Sequence, residues 1–168
     1  VLRKGMAMAK LREAIKQTRD FDSPEQEIHL NLLHTVNELS APFLKFLKQH
    51  DLSEALYNIL RILRGQRGGG LLCSGISERM VTRVPDVTRR IDRLEKMELV
   101  ERARSEEDRR VVLIHITKKG EELLERLNPT MHDLSKQSLG HLTDEEKREL
   151  NRLLDKARSP IRRGEGND

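Results

Sequence analysis

Apolar residues recur along most of this chain at three- and four-residue steps, the period of a helix that buries one face. The clearest stripe is Ile28, Leu32, Val36, Leu39, Phe43 and Leu47. Ser23, Pro24 and Gln26 precede it as a capping serine, a first-position proline and a reciprocal glutamine, the start of a capping-box helix. Pro42 lies inside the stripe and predicts a kink or break. Ser53 caps a second helix, with Leu52 placed to pack on Tyr57 and with Leu56, Ile59, Leu60 and Leu63 inward. Gly65 and the run Gly68-Gly69-Gly70 end it in a flexible connection. Ser74 to Val81 reads as a short third helix with Ile76 and Met80 inward. Pro85 starts a fourth, whose apolar face is Val87, Ile91 and Leu94. Asp86, Thr88, Arg89, Arg90 and Arg93 lie off that face.

The period then shortens. Leu99 to Ala103 is strand-like, and Val111 to Ile116 is the most β-branched run in the chain. The charged stretch Ser105 to Arg110 between them makes a hairpin. Thr117 caps a long helix with Leu123, Leu124, Leu127, Met131 and Leu134 inward and a kink expected at Pro129. Thr143 and Glu146 form a second capping box, opening a helix with Leu150, Leu153, Leu154 and Ala157 inward. Residues 1–22 form an N-terminal arm, where Met8, Leu11 and Ile15 fit a short helix and a frayed end fits equally. Residues 158–168 are expected to be a disordered tail.

Composition narrows the class. Aromatic residues are 2% of the chain, against a β-dominated fold. No apolar run reaches the roughly 20 residues of a membrane span, and Val1 to Lys10 lacks the apolar core of a secretory signal. With a single cysteine, Cys73, there is no disulfide framework, and a cytoplasmic protein is expected. Residues 61–120 carry 15 basic and 9 acidic side chains, whereas residues 1–60 carry 8 of each. The positive excess sits mid-chain, where it suits either a polyanion or a solvated surface.

The order of elements separates these readings. A helix, a short helix, a tight connection, a cationic helix and a hairpin make a winged helix-turn-helix, in which the cationic helix enters the major groove. Thr88, Arg89, Arg90 and Arg93 then face DNA, with Thr88 and Arg89, near the helix N-terminal end, placed to touch bases or neighbouring phosphates; Arg93 could instead pair with Glu95–Glu98 or the wing acids. Arg109 and Arg110 at the hairpin tip reach the flanking backbone or minor groove.

The stretch from Asp108-Arg109-Arg110 through Val111–Ile116 to Thr117-Lys118-Lys119-Gly120 resembles the wing of the MarR-type regulators: Asp-x-Arg, an apolar strand, Thr, two residues and Gly. Val87 to Val100 is similar to that family's recognition helix and its exit into the wing, and the likeness covers roughly residues 28–157. The resemblance implies that Arg110 enters the minor groove with its guanidinium oriented by Asp108. It also implies an obligate homodimer built by helices from the two chain ends, and a response to small ligands, often phenolic or lipophilic anions. Where the family often has Thr-x-x-Glu at the start of the third helix, this chain has Leu72 and Gly75, so Ser74 is the substitute cap.

The expected architecture is therefore mainly helical with one small hairpin. Residues 51–116 form the winged module, and 23–50 with 117–157 the dimerisation region. The partners are a second copy, double-stranded DNA with a palindromic operator, and a small aromatic or amphipathic anion, with no membrane partner. Leu32, Val36, Leu39, Leu56 and Ile59 are candidates for lining the effector cleft, and equally for plain core. No enzymatic motif is present: Gly68-Gly69-Gly70 is followed by Leu71-Leu72-Cys73 rather than the Gly-Lys-Ser/Thr of a phosphate loop. None of His29, His34, His50, His115, His132 and His141 makes a metal-binding pair, and no metal or cofactor is expected. Cys73 reads as a buried structural cysteine, because the hydroperoxide-sensing members of the family carry theirs near the N-terminus with tyrosine partners. The alternatives are a winged-helix protein-interaction module and a metal or redox sensor on the same scaffold.

Overall fold

The computed structural model describes residues 11–66 and 69–164. They fall into two compact units, one ending at His50 and the other starting at Asp51. Met8 and Gly68 lie outside the described residues.

The first unit holds a helical turn at 11–14 and one long helix, α1 (Pro24–Lys48). Leu11 is buried, and Arg12 pairs with Asp20. The Ser23 hydroxyl accepts the Gln26 N–H at 3.2 Å. The reciprocal bond is displaced by one residue, because Gln26 Oε1 accepts from Asp22 N–H at 2.8 Å rather than from Ser23. Of the kink or break expected at Pro42, the break does not occur: α1 runs through it. Proline withdraws one donor, and the turns on either side of it keep theirs. Of the predicted stripe, Leu47 is buried and Leu39 and Phe43 are half-buried, while Ile28, Leu32 and Val36 are exposed.

The second unit is organised around α2 (Glu54–Arg64). Ser53 Oγ accepts the Leu56 N–H at 3.3 Å and starts it. Leu56, Tyr57, Ile59, Leu60 and Leu63 are buried along one face. That face meets α3 (Cys73–Arg79), α4 (Val87–Lys96), strand β2 (Val112–Ile116) and α5 (Lys118–Leu139). Strand β1 (Val100–Arg104) pairs antiparallel with β2, from Val100 opposite Ile116 to Arg104 opposite Val112.

Within the described part of the glycine connection, the Gly69 N–H bonds the Gln66 carbonyl at 3.0 Å. Leu71 exchanges both backbone hydrogen bonds with Ile114, at 3.0 and 2.8 Å, adding a one-residue third strand to the hairpin. A side chain on Gly70 would come within 2.8 Å of Leu113 Cβ, so the close pairing needs a glycine just before it.

α5 starts on Thr117, whose hydroxyl accepts the Gly120 N–H at 3.1 Å, and runs through Pro129 unbroken. Leu123, Leu124 and Leu127 are buried, but Met131 and Leu134, expected inward, are only half-buried. α6 (Asp144–Gly164) opens on the predicted box: Thr143 N–H donates to Glu146 Oε2 at 2.8 Å and Glu146 N–H to Thr143 Oγ1 at 3.2 Å. The helix continues to Gly164, so residues 158–164 of the expected disordered tail are helical, and 165–168 lie outside the described residues. Arg158 pairs with Asp155, and Ser159 Oγ donates to the Asp155 carbonyl at 3.1 Å. Leu150 and Leu153 on α6 are exposed.

Gly120 shows why the wing ends in glycine. A β-carbon there would collide with the Leu99 carbonyl oxygen and lie 2.8 Å from Ile116 Cγ1. Gly120→Ala is expected to lower the unfolding free energy by about 1–3 kcal/mol through overpacking. Urea denaturation checks this, and a loss below about 0.5 kcal/mol, the range of ordinary surface changes, would contradict the close approach.

Candidate nucleic-acid interface

α4 is amphipathic, with its apolar and charged residues on opposite sides. Val87, Ile91 and Leu94 are buried against α2 and α3, and Thr88, Arg89 and Arg93 are exposed with Arg90 half-buried. The helix starts two residues later than expected. Asp86, not Pro85, marks the boundary, because its Oδ1 accepts the Arg89 N–H at 3.2 Å. Asp86 is left-handed at φ 62°, a conformation that aspartate tolerates better than most residues.

Each predicted contact residue has a defined place. Thr88 Oγ1 lies 3.5 Å from Cys73 Sγ, so α3 and α4 meet at the polar edge. Arg89 Nε pairs with Asp86 Oδ2 at 2.9 Å. Arg90 Nη1 donates to the Pro85 carbonyl at 3.0 Å. Arg93 does not pair with Glu95–Glu98 or the wing acids; its Nη2 donates to the Asp51 carbonyl at 3.2 Å. Cys73 is half-buried rather than buried and is a free thiol. Ser74 does not cap α3, which begins at Cys73 with Leu72, two residues before Ser74, at the cap position and no side-chain cap.

The exit from α4 sets where the wing goes. Leu99 N–H bonds the Leu94 carbonyl at 2.9 Å and Glu98 N–H the Glu95 carbonyl at 2.8 Å, with Glu98 at φ 60°. This is a Schellman ending with glutamate at the left-handed position that glycine usually fills. The next segment holds that residue: Lys119 Nζ lies 2.6 Å from the Glu98 carboxylate, and Thr117 Oγ1 donates to its carbonyl at 2.7 Å. The Lys119 hydrogen bond lowers the Glu98 pKa. The pair's contribution is therefore present at neutral pH and is lost as pH falls through the lowered value.

Arg102, which the sequence reading passed over, ties β1 back to α4. Its guanidinium takes Asp92 Oδ1 at 2.6 Å and also Glu95. The Asp92 hydrogen bond leads the causes that raise the Arg102 pKa. Two acids three residues apart on one flank of α4 were the available signal, facing a strand arginine that they require.

At the tip, Asp108 Oδ1 accepts the Arg110 backbone N–H at 2.9 Å, and Val111 N–H bonds the Asp108 carbonyl at 2.9 Å. Asp108 thus braces the main chain of Arg110. Among the described residues the guanidiniums of Arg109 and Arg110 have no partner, and Asp108, Arg109 and Arg110 are exposed. Of the candidate pocket residues, Leu56 and Ile59 belong to the buried core of the second unit, whereas Leu32 and Val36 are exposed and Leu39 half-buried on α1. Among the described residues no group of His, Cys, Asp or Glu is placed to hold a metal ion, and no helix is long and apolar enough to cross a membrane.

A short three-helix core, a cationic helix with one free side and a hairpin braced against it define the winged helix-turn-helix class. Residues 52–112 match the sequence model of the MarR family. The chain is 31% identical over 148 residues to the transcriptional repressor MprA of Escherichia coli K12, covering 87% of this chain and 84% of that protein. A MarR transcription factor from Planctomyces limnophilus has a similar crystal structure, with TM-score 0.62, 38% identity and coverage of 81% and 98% of the two chains. BpsR of Bordetella bronchiseptica, described as having its DNA binding regulated by 6-hydroxynicotinic acid, aligns with TM-score 0.71 and 25% identity over 84% of this chain and 99% of its own. The chain belongs to the MarR family of transcriptional regulators.

The Arg102 bridge is testable apart from DNA. Arg102→Met leaves Asp92 and Glu95 unpaired on one flank of α4, and a loss of about 1 kcal/mol is expected for a partly exposed network. Equilibrium unfolding in low and high salt checks it. The loss should shrink in 1 M salt, where the Debye length is about 3 Å; a loss independent of salt would assign the effect to packing of the arginine stem.

Proposed function

We propose that this chain acts in the cytoplasm as a non-catalytic homodimeric repressor that binds an imperfectly palindromic duplex and is released by a small aromatic or amphipathic anion. The observation that carries the reading is the division of α4. Its apolar side is wholly taken up by the core, and its other side carries Thr88, Arg89, Arg90 and Arg93 beside a wing tip with two unpaired arginines. Arginine at the wing tip suits a narrow minor groove, where negative potential is concentrated and a weakly hydrated cation is favoured.

Dimerisation is supported by the apolar residues left outside the core. Ile28, Leu32, Leu33, Val36 and Leu44 on α1 are exposed, as are Leu139 at the end of α5 and Leu150 and Leu153 on α6. A two-fold axis would bury such stripes and set two α4 helices toward one face of a duplex, which makes the operator a palindrome. Support for an anionic aromatic effector comes from BpsR, whose DNA binding is described as regulated by 6-hydroxynicotinic acid. Of the candidate lining residues, Leu32, Val36 and Leu39 lie on α1, where they would meet either the ligand or the partner.

Arg110→Ala tests the wing. We expect weaker binding to a selected duplex with an unchanged dimer in light scattering. The slope of log K against log salt should become shallower by up to about 0.9 per protomer if the arginine neutralises one phosphate charge. Wild-type affinity for Arg110→Ala across a salt series would remove the wing from the interface, and a monomer at micromolar concentration would remove the dimer.

A further inference from the structure

The first turn of α4 contains more than a helix cap. Both oxygens of one carboxylate are used on a single residue. Asp86 Oδ1 accepts the Arg89 backbone N–H at 3.2 Å, and Oδ2 takes Nε of the same arginine at 2.9 Å. Capping requires only the first of these contacts. The second fixes the plane of the guanidinium. With Nε occupied, the two terminal amino groups are the donors left, and the side chain that carries them is 84% exposed. The arrangement also has a backbone requirement. Asp86 stands at φ 62°, and the neighbouring Arg90 guanidinium holds the Pro85 carbonyl at 3.0 Å. The turn that aims the carboxylate is therefore itself held in place.

We propose that Asp86 is a positioning residue that presents Arg89 to a guanine in the major groove of each operator half-site, so that the pair, rather than the arginine alone, sets base preference there. This rests on the DNA-binding reading above. The terminal amino groups of an arginine form a fork that matches O6 and N7 of guanine, a pattern no other base edge offers. A fork already held in one orientation loses less rotamer freedom when it docks. The carboxylate has a second effect. It offsets the charge of Arg89, which weakens attraction to phosphates at any sequence while leaving the directional donors intact. Both effects favour the cognate duplex over random DNA.

Selection from a random duplex library, followed by affinity measurements on the selected duplex and its single-base variants, tests this with the full-length dimer. Asp86→Asn is the informative variant. Asparagine tolerates the left-handed backbone and caps through its carbonyl oxygen, but its amide nitrogen cannot accept from Arg89 Nε. Wild type should prefer guanine at one half-site position by about tenfold or more. Arg89→Ala should lose that preference. Asp86→Asn should keep the wild-type melting temperature while its discrimination at that position falls about 2- to 10-fold, and its salt dependence should steepen by up to about one counterion per protomer. If Asp86→Asn folds poorly, Asp86→Ser keeps a cap and is too short to reach Nε, and the same loss of discrimination is expected. Undiminished discrimination in Asp86→Asn or Asp86→Ser would reduce Asp86 to a cap and overturn the inference. Retention of the guanine in Arg89→Ala would overturn it by removing the reader. Failure of wild type to select any duplex would overturn the DNA-binding reading itself, and the inference with it.

Discussion

Burial of one side of α4 is the constraint on which the rest of this structure depends. Isolated helices shorter than about 12–15 residues are marginal in water, and α4 has ten residues, most of them charged. It forms because Val87, Ile91 and Leu94 lose their contact with water against α2 and α3. Each fully buried side chain of this size contributes about 1.5–3 kcal/mol. That outweighs any of the surface ion pairs around the helix, which are worth about 1 kcal/mol or less each. Packing therefore decides that α4 exists and which way it faces. The ion pairs decide finer matters: where it starts, how it ends and how the wing leaves it.

Those finer matters follow a common plan. At each end of α4 a non-glycine residue sits in the left-handed region, Asp86 at φ 62° and Glu98 at φ 60°. Such conformations persist where the surroundings over-determine them. Asp86 is held by bonds to Arg89, and Glu98 by Lys119 and Thr117. Arg102 adds a third tie, from β1 to the flank of α4. The helix and the wing are thereby joined at both the exit turn and the strand. Gly120 allows the start of α5 to press on the same exit turn. The proposed DNA-reading surface spans both elements, and this coupling spares it the ordering entropy that a loosely hinged wing would add to every binding event.

Much of this was legible in the residue pattern. The 3.6-residue period placed the core faces of α2 and α4, and Val87, Ile91 and Leu94 are all buried. The Ser53, Thr117 and Thr143 caps all form. Resemblance to the MarR wing located the hairpin and its glycine. Features set by tertiary contact were not legible. Nothing local to Gly68–Leu71 indicates that Leu71 will pair with Ile114 across the unit. The role of Arg102 needs the register of the hairpin against α4, and Asp86 rather than Pro85 opens α4 through a left-handed turn, whereas a capping residue is ordinarily extended. At Pro42 the pattern left a kink or a break open, and α1 runs on without a break, because one missing donor leaves the neighbouring turns intact. Of the candidate site, the polar side of α4 and the wing tip were readable because they are what the core leaves over. The effector residues were not, because an apolar stripe looks the same whether it meets core, partner or ligand.

The central claim is that α4 is held rigidly by its apolar side and meets DNA with the other. Backbone-amide NMR of the dimer titrated with a selected duplex tests it most directly. The account predicts that shift changes concentrate on residues 86–93 and on the wing tip around Asp108 to Arg110. The amides of Ile91 and Leu94 should keep the slow hydrogen exchange of the α2 core in both the free and the bound protein. Changes centred on another surface, or exchange of α4 that is fast while α2 stays protected, would contradict it.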